Sequence, residues 1–229
     1  MFYAPRTIAF LTELIHPPAQ PDPALIQRVH NDLFQTREPA YKSFTVTPAG
    51  AVLSNPVTRP GAVSAASFTA DRMQFREELS SLTVDAFAAQ VRDLCERVTA
   101  LAKTQVFTAQ QVTIHTLINP RHFRDAREFL RGGMFGFDRE TEDFGRDPHL
   151  LGLRLVFPPS EGQPNAHALR VESYNDDVRS LFIENQASFP PILVARGLDV
   201  VADNIHAAYD FLVERALTFV SRFDTRQEA

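Results

Sequence analysis

The apolar residues of positions 6–15 (RTIAFLTELI) occupy both faces of a strand. Ile8, Phe10 and Leu14 lie on one side, Ala9, Leu11 and Ile15 on the other. A strand apolar on both sides belongs in the middle of a sheet. A proline-rich loop follows, and Asp22 before Pro23 reads as an N-cap with a first-turn proline. Leu25, Val29 and Leu33 then recur at every fourth position, with Ile26 and Phe34 beside them, as on the buried side of a helix.

From Tyr41 to Asn55, two β-like runs flank Pro48-Ala49-Gly50, a hairpin signal. The runs VSAASFT and RMQFREEL meet at a turn near Ala70-Asp71. In the second, Met73, Phe75 and Leu79 alternate with Arg72, Gln74, Arg76 and Glu78, giving a half-buried strand. Thr83 then caps a long amphipathic helix over 83–103, carried by Val84, Phe87, Ala88, Val91, Leu94, Cys95, Val98 and Leu101.

The pattern restarts at 110–120, a strand with Val112, Ile114 and Ile118 inward. Asn119-Pro120 predicts a short helix to about Leu130, ended by Gly132-Gly133. LLGLRLVF (150–157) reads as a strand, and two further runs form a hairpin around Asp176-Asp177. A last helix over about 200–222 carries Val201, Ile205, Ala208, Leu212, Ala216, Phe219 and Val220 on one stripe.

The expected architecture is therefore α+β: one domain over 1–229, of two similarly ordered halves at about 1–105 and 106–229. Each half reads strand, helix, three or four antiparallel strands, long helix. The long helices should pack on one face of an antiparallel sheet, leaving the other face partly polar.

Composition narrows the function. The net charge of −5 argues against a general nucleic-acid binder. Of 23 cationic side chains only Lys42 and Lys103 are lysines. Codon bias in a G+C-rich genome accounts for that excess of arginine; bidentate recognition of carboxylate or phosphate is the alternative. The single cysteine, Cys95, excludes an intrachain disulfide. Glu13 interrupts the first apolar run and no small-residue cleavage site follows, so no signal peptide is read. No run approaches the roughly 20 apolar residues of a membrane span. A soluble, cytoplasmic protein is expected.

Four segments, SFTADRMQF (67–75), QVTIHTLIN (111–119), LRLVFPPSEGQPNAHALRV (153–171) and ADNIHAAYDFL (202–212), resemble a sporadically distributed bacterial family of uncharacterised proteins. The family's tryptophan after the first segment is missing; this chain has none. The resemblance implies no activity and no site residues. The doubled element order is also similar in topology to the fold of the TATA-box-binding protein and its relatives, which includes DNA binders and small-ligand binders; fold alone does not fix function.

The sharpest functional lead is a set of arginines on predicted strand positions: Arg72, Arg76, Arg154, Arg170 and Arg179. If they converge, they grip an anionic ligand, a carboxylate-rich partner or a nucleic-acid backbone. The competing reading is a solvated face balanced by Glu77, Glu78, Glu172 and Glu184. His115 and His122 offer two metal ligands or a base, but no third ligand is evident. His206 and Asp210, four apart on the last helix, would pair on one face. The segment 132–147 gathers Asp138, Glu140, Glu142, Asp143 and Asp147 with Phe135, Phe137 and Phe144, at a spacing foreign to an EF-hand. No phosphate loop, nucleophile elbow or cofactor signature occurs. The leading expectation is a non-enzymatic binding or interaction module with a protein partner, or a homodimer. Its alternatives are a binder of anions through the arginine face, and an enzyme using His115 or His206.

Overall fold

The computed structural model describes residues 2–36, 39–136, 145–146 and 148–225. Its first elements are β1 (Arg6–Ile15), α1 (Pro23–Phe34), β2 (Ser43–Thr47), β3 (Gly50–Ser54), β4 (Val63–Thr69), β5 (Arg72–Glu78) and α2 (Val84–Ala102). Then come β6 (Val106–Phe107), β7 (Ala109–Ile118), α3 (Ala126–Glu128), β8 (Gly152–Phe157), β9 (Ala166–Ser173) and β10 (Leu181–Phe189). The chain finishes with β11 (Ile192–Leu193), α4 (Asp199–Asp210) and α5 (Leu217–Ser221).

Nine strands form one antiparallel sheet in the order β2-β3-β4-β5-β1-β7-β10-β9-β8. The doubly apolar β1 is the central strand, as its pattern requires. It pairs with β5 on one side and β7 on the other, with one register irregularity between Thr7 and Ala9. The order runs outward from the β1–β7 pair as β5, β4, β3, β2 on one side and β10, β9, β8 on the other. The short β6 and β11 form a separate two-stranded ladder that the apolar pattern does not announce.

Helices α2 and α4 pack on each other, and α4 also lies on β7 and β10. The core between this helix layer and the sheet contains Phe10, Leu14, Phe75, Phe87, Val91, Leu94, Ile114, Ile183 and Ile205, all buried. Polar side chains cross it as well. Gln110, fully buried, donates to Thr12 Oγ1 and the Val201 carbonyl and accepts from Asn204. Asn185 donates to the Ala208 carbonyl. Buried amides need such partners, and these fix the height of α4 over the sheet.

Three local expectations need correction. The short helix does not open at Asn119-Pro120. Its N-cap is Asp125, whose Oδ1 accepts from the Glu128 N–H at 2.8 Å. Nor does Gly132-Gly133 end it: the helical path continues as a π-turn over Phe129–Phe135 and stops at Gly136, φ +68°. Gly133 is instead a point of close approach, since a Cβ there would lie 2.7 Å from the Phe123 ring. The last helix is also interrupted, with a π-turn over Phe211–Ala216 between α4 and α5. Among the described residues, no helix is long and apolar enough to cross a membrane.

Candidate functional site

The parity of β5 puts Arg72, Gln74, Arg76 and Glu78 on the sheet face away from the helices, and Met73, Phe75 and Glu77 on the helix side. Glu77 is therefore no part of a solvated face. It is 2% exposed and accepts the Ser64 hydroxyl at 2.7 Å. Burial pushes its carboxyl above the ordinary range, against the pull of that hydrogen bond.

The five predicted arginines do not meet. Arg72 and Arg76 stand on β5, Arg154 and Arg170 on β8 and β9, and three strands separate β5 from β9. At the usual strand spacing that is about 19 Å. Arg179 lies in the turn before β10. Most are also neutralised. Arg72 pairs with Asp71 at 3.0 Å and Glu13 at 3.2 Å, and Arg76 with Glu78 at 2.6 Å. Arg170 pairs with Glu184 at 3.0 Å and Glu172 at 3.3 Å, and lies over the Phe182 ring. Arg154, directly opposite Arg170 in the ladder, is exposed and forms no ion pair among the described residues.

His115 joins that second group, its Nε2 lying 2.9 Å from Glu184 Oε2. The His115 contact and then Arg170 hold the Glu184 carboxyl below the ordinary range against its partial burial. His122 is elsewhere, bound to the backbone carbonyl of Asp224 at 2.8 Å. No group of three His, Cys, Asp or Glu side chains converges among the described residues. His206 reaches across to Asp85 of α2 at 3.1 Å, rather than to Asp210 on its own helix. Of the acidic segment, 137–144 and 147 lie outside the described residues; Phe135 ends the π-turn.

A second candidate lies on the other side of the sheet. A cleft of about 770 Å³ opens between β8, β9 and the π-turn of the last helix. Leu155, Phe157, Leu169, Ala207, Phe211, Ala216 and Phe219 give it an apolar lining, and the exposed Asp210, Glu214 and Arg215 stand at its rim. Its volume is that of a binding pocket. The buried His167 lies in its wall, its ring stacked 3.8 Å from that of Phe211. Asn165 Nδ2 lies 2.8 Å from Nε2, and Asn185 Oδ1 lies 3.2 Å from Nδ1. Because Asn185 spends its amide donor on Ala208, its Oδ1 must accept. The ring is thus the Nδ1–H tautomer, with Nε2 accepting from Asn165. Burial also keeps its pKa below the usual histidine value. A neutral imidazole bonded through both nitrogens is a structural wall rather than a free base.

Strand β8 ends the sheet beside this cleft. Ser173 N–H donates to the Leu151 carbonyl, so the ladder alternation turns the backbone groups of Arg154 and Val156 away from β9. Val156 and Phe157 are 65% and 41% exposed. Apart from Asp210, read as a partner for His206, the cleft residues are not among the candidates read in the sequence. The parity of His167 with Leu169 and Val171 was the one available signal that it faces inward.

In comparisons with known proteins, no family model matches this chain, and no curated protein sequence does.

Proposed function

We propose that this protein is a non-enzymatic interaction module that captures an extended, apolar segment of a partner protein by strand addition to β8. The observation that carries the reading is a coincidence of place. Strand β8, one of the two sheet edges, has no ladder partner for its outward N–H and C=O groups among the described residues and also forms the lip of the apolar cleft. An added strand gains main-chain hydrogen bonds, and its alternate side chains enter the cleft next to Leu155 and Phe157. Edge strands that must stay unpaired usually carry several charges, a proline or a bulge. GLRLVF carries a single charge, Arg154.

Cytoplasmic residence belongs to this proposal, and a single buried thiol at Cys95 suits it. So does an internal duplication, which the matching strand orders on either side of the β1–β7 pair support.

Val156→Pro tests the mode of binding. The Val156 N–H points outward, so proline there spares the β8–β9 ladder while blocking an incoming strand. Peptides selected from a random displayed library against the wild-type protein should alternate apolar residues and lose binding to Val156→Pro. Ala207→Trp, which fills the cleft, should weaken them as well. Selected peptides that bind both variants at full strength would refute strand addition here. A homodimer through two β8 strands would appear as a concentration-dependent mass that Val156→Pro abolishes.

A further inference from the structure

Arg72, Arg76 and Arg170 are paired with carboxylates, whereas two arginines at one end of the central strands, like the exposed Arg154, make no ion pair among the described residues. Arg6 begins β1 and Arg121 follows β7, and both line a cavity of about 340 Å³ with Tyr3, Asn119 and Asp177. Among the described residues neither guanidinium makes an ion pair or a hydrogen bond.

The walls of this cavity are held in place. Asp224, 1% exposed, accepts from the Tyr3 hydroxyl at 2.8 Å, the Arg121 N–H at 2.7 Å and the His122 N–H at 2.9 Å. The Asp224 carboxylate thus fixes both the Tyr3 wall and the backbone of Arg121. The Arg121 guanidinium lies 4.4 Å from the centre of the Phe2 ring. That cation–π contact holds the cation beside the ring without a carboxylate partner among the described residues. Among the described residues the lining carboxylate is Asp177, which also feels the charge of Arg6 and is already engaged through hydrogen bonds. Its Oδ2 takes the Ser180 hydroxyl at 2.7 Å and its Oδ1 the Arg179 N–H at 3.1 Å. Among the described lining residues, two cations stand with one carboxylate, and the Asp224 carboxylate behind the wall is spent on Tyr3 and the backbone of Arg121 and His122.

We infer that this cavity binds a small oxyanion, a phosphate or carboxylate group, between Arg6 and Arg121. A guanidinium edge matches either group through two parallel N–H donors. The site is independent of the β8 edge.

The test is calorimetric titration of the full chain with inorganic phosphate and, separately, with succinate, ionic strength being fixed with chloride. Arg6→Gln and Arg121→Gln should each lower affinity about tenfold or more, as expected for loss of a charge-assisted contact. Arg72→Gln, on the paired face, should leave it unchanged. Asp177→Asn should raise it, because it removes the opposing charge. Circular dichroism melts confirm that each variant is folded, and Arg6→Gln stands if Arg121→Gln disturbs the Phe2 stack. Binding of phosphate alone identifies a phosphorylated ligand, and binding of succinate alone a dicarboxylate; either supports the site. No binding of either anion up to about 10 mM, or binding indifferent to both arginine variants, overturns it; charge-assisted contacts at a formed site give a tighter complex than that.

Discussion

The rings of Phe211 and His167 lie 3.8 Å apart and within 10° of parallel. That stack joins the first residue of the π-turn to the inner face of β9, and a chain of side-chain hydrogen bonds runs behind it. Asn165 donates to His167, His167 to Asn185, and Asn185 to the Ala208 carbonyl. The cleft wall is thus held by directional bonds as well as by packing.

Because His167 is neutral in the fold and has a depressed pKa, the unfolded chain binds its proton first as pH falls. Stability should therefore be full above the ordinary histidine pKa and decline as pH drops through it toward the folded value. Urea melts between pH 4.5 and 8 should show this slope in the wild type and a flatter profile in His167→Phe. Each unit between the two pKa values contributes about 1.4 kcal/mol. Equal slopes would mean that the ring is not kept neutral.

Asn185→Ala should destabilise the protein by about 2–4 kcal/mol, since it orphans the buried His167 Nδ1–H and removes one of the donors to the Ala208 carbonyl, which keeps the Phe211 N–H. Denaturant midpoints at pH 7.5 measure this. A cost below about 0.5 kcal/mol, the size of an ordinary surface change, would show that the chain of bonds is not holding the wall.

Glu77→Gln should have the opposite effect. The folded Glu77 carboxyl has a raised pKa, so the native state holds its proton more tightly than the unfolded chain. The wild type then loses stability as pH rises from the ordinary carboxylate range through the folded value. Glutamine keeps an acceptor for Ser64 and removes the buried charge. Thermal melts at pH 7.5 should show it more stable by about 1 kcal/mol, with the difference shrinking in acid.

Glu184 titrates with the reverse sign. Its depressed pKa contributes stability above the ordinary carboxylate range, and this is lost as pH falls through the folded value. Glu184→Gln should cost no more than about 1 kcal/mol at pH 7, because the His115–Glu184–Arg170 group is partly open to solvent. Acid melts should show the wild-type advantage disappearing below pH 4, under the ordinary carboxylate pKa.

The strands were legible in the sequence wherever burial imposes period two. β1 announced its central place because Phe10 and Leu11 are apolar on opposite sides. The same parity placed Met73 and Phe75 inward, and it would have placed Glu77 with them had its charge not suggested solvent. Helix α2 was equally plain, from its cap at Thr83 to its stripe. The strand order was not legible. It inserts β1, β7 and β10 between the arginines of β5 and those of β9, so residues alike in sequence end about 19 Å apart. The partner of His206 was hidden for a related reason: Asp85 reaches it only through the packing of α2 on α4. The π-turn at Phe211–Ala216 leaves no mark in FLVERA, which has no glycine or proline and reads as ordinary helix. The cleft depends on that turn and on β8 lying at the edge, so its residues became visible only once the sheet was assembled.

Residue-resolved amide hydrogen exchange, with and without a library-selected apolar peptide, tests the central claim most directly. In the free protein the amides of Leu153 and Leu155, bonded to β9, should be protected, and those of Arg154 and Val156 should exchange fast. With the peptide bound, protection should appear at Arg154 and Val156. Binding that leaves those two amides fast and protects the opposite sheet face instead would contradict strand addition at β8.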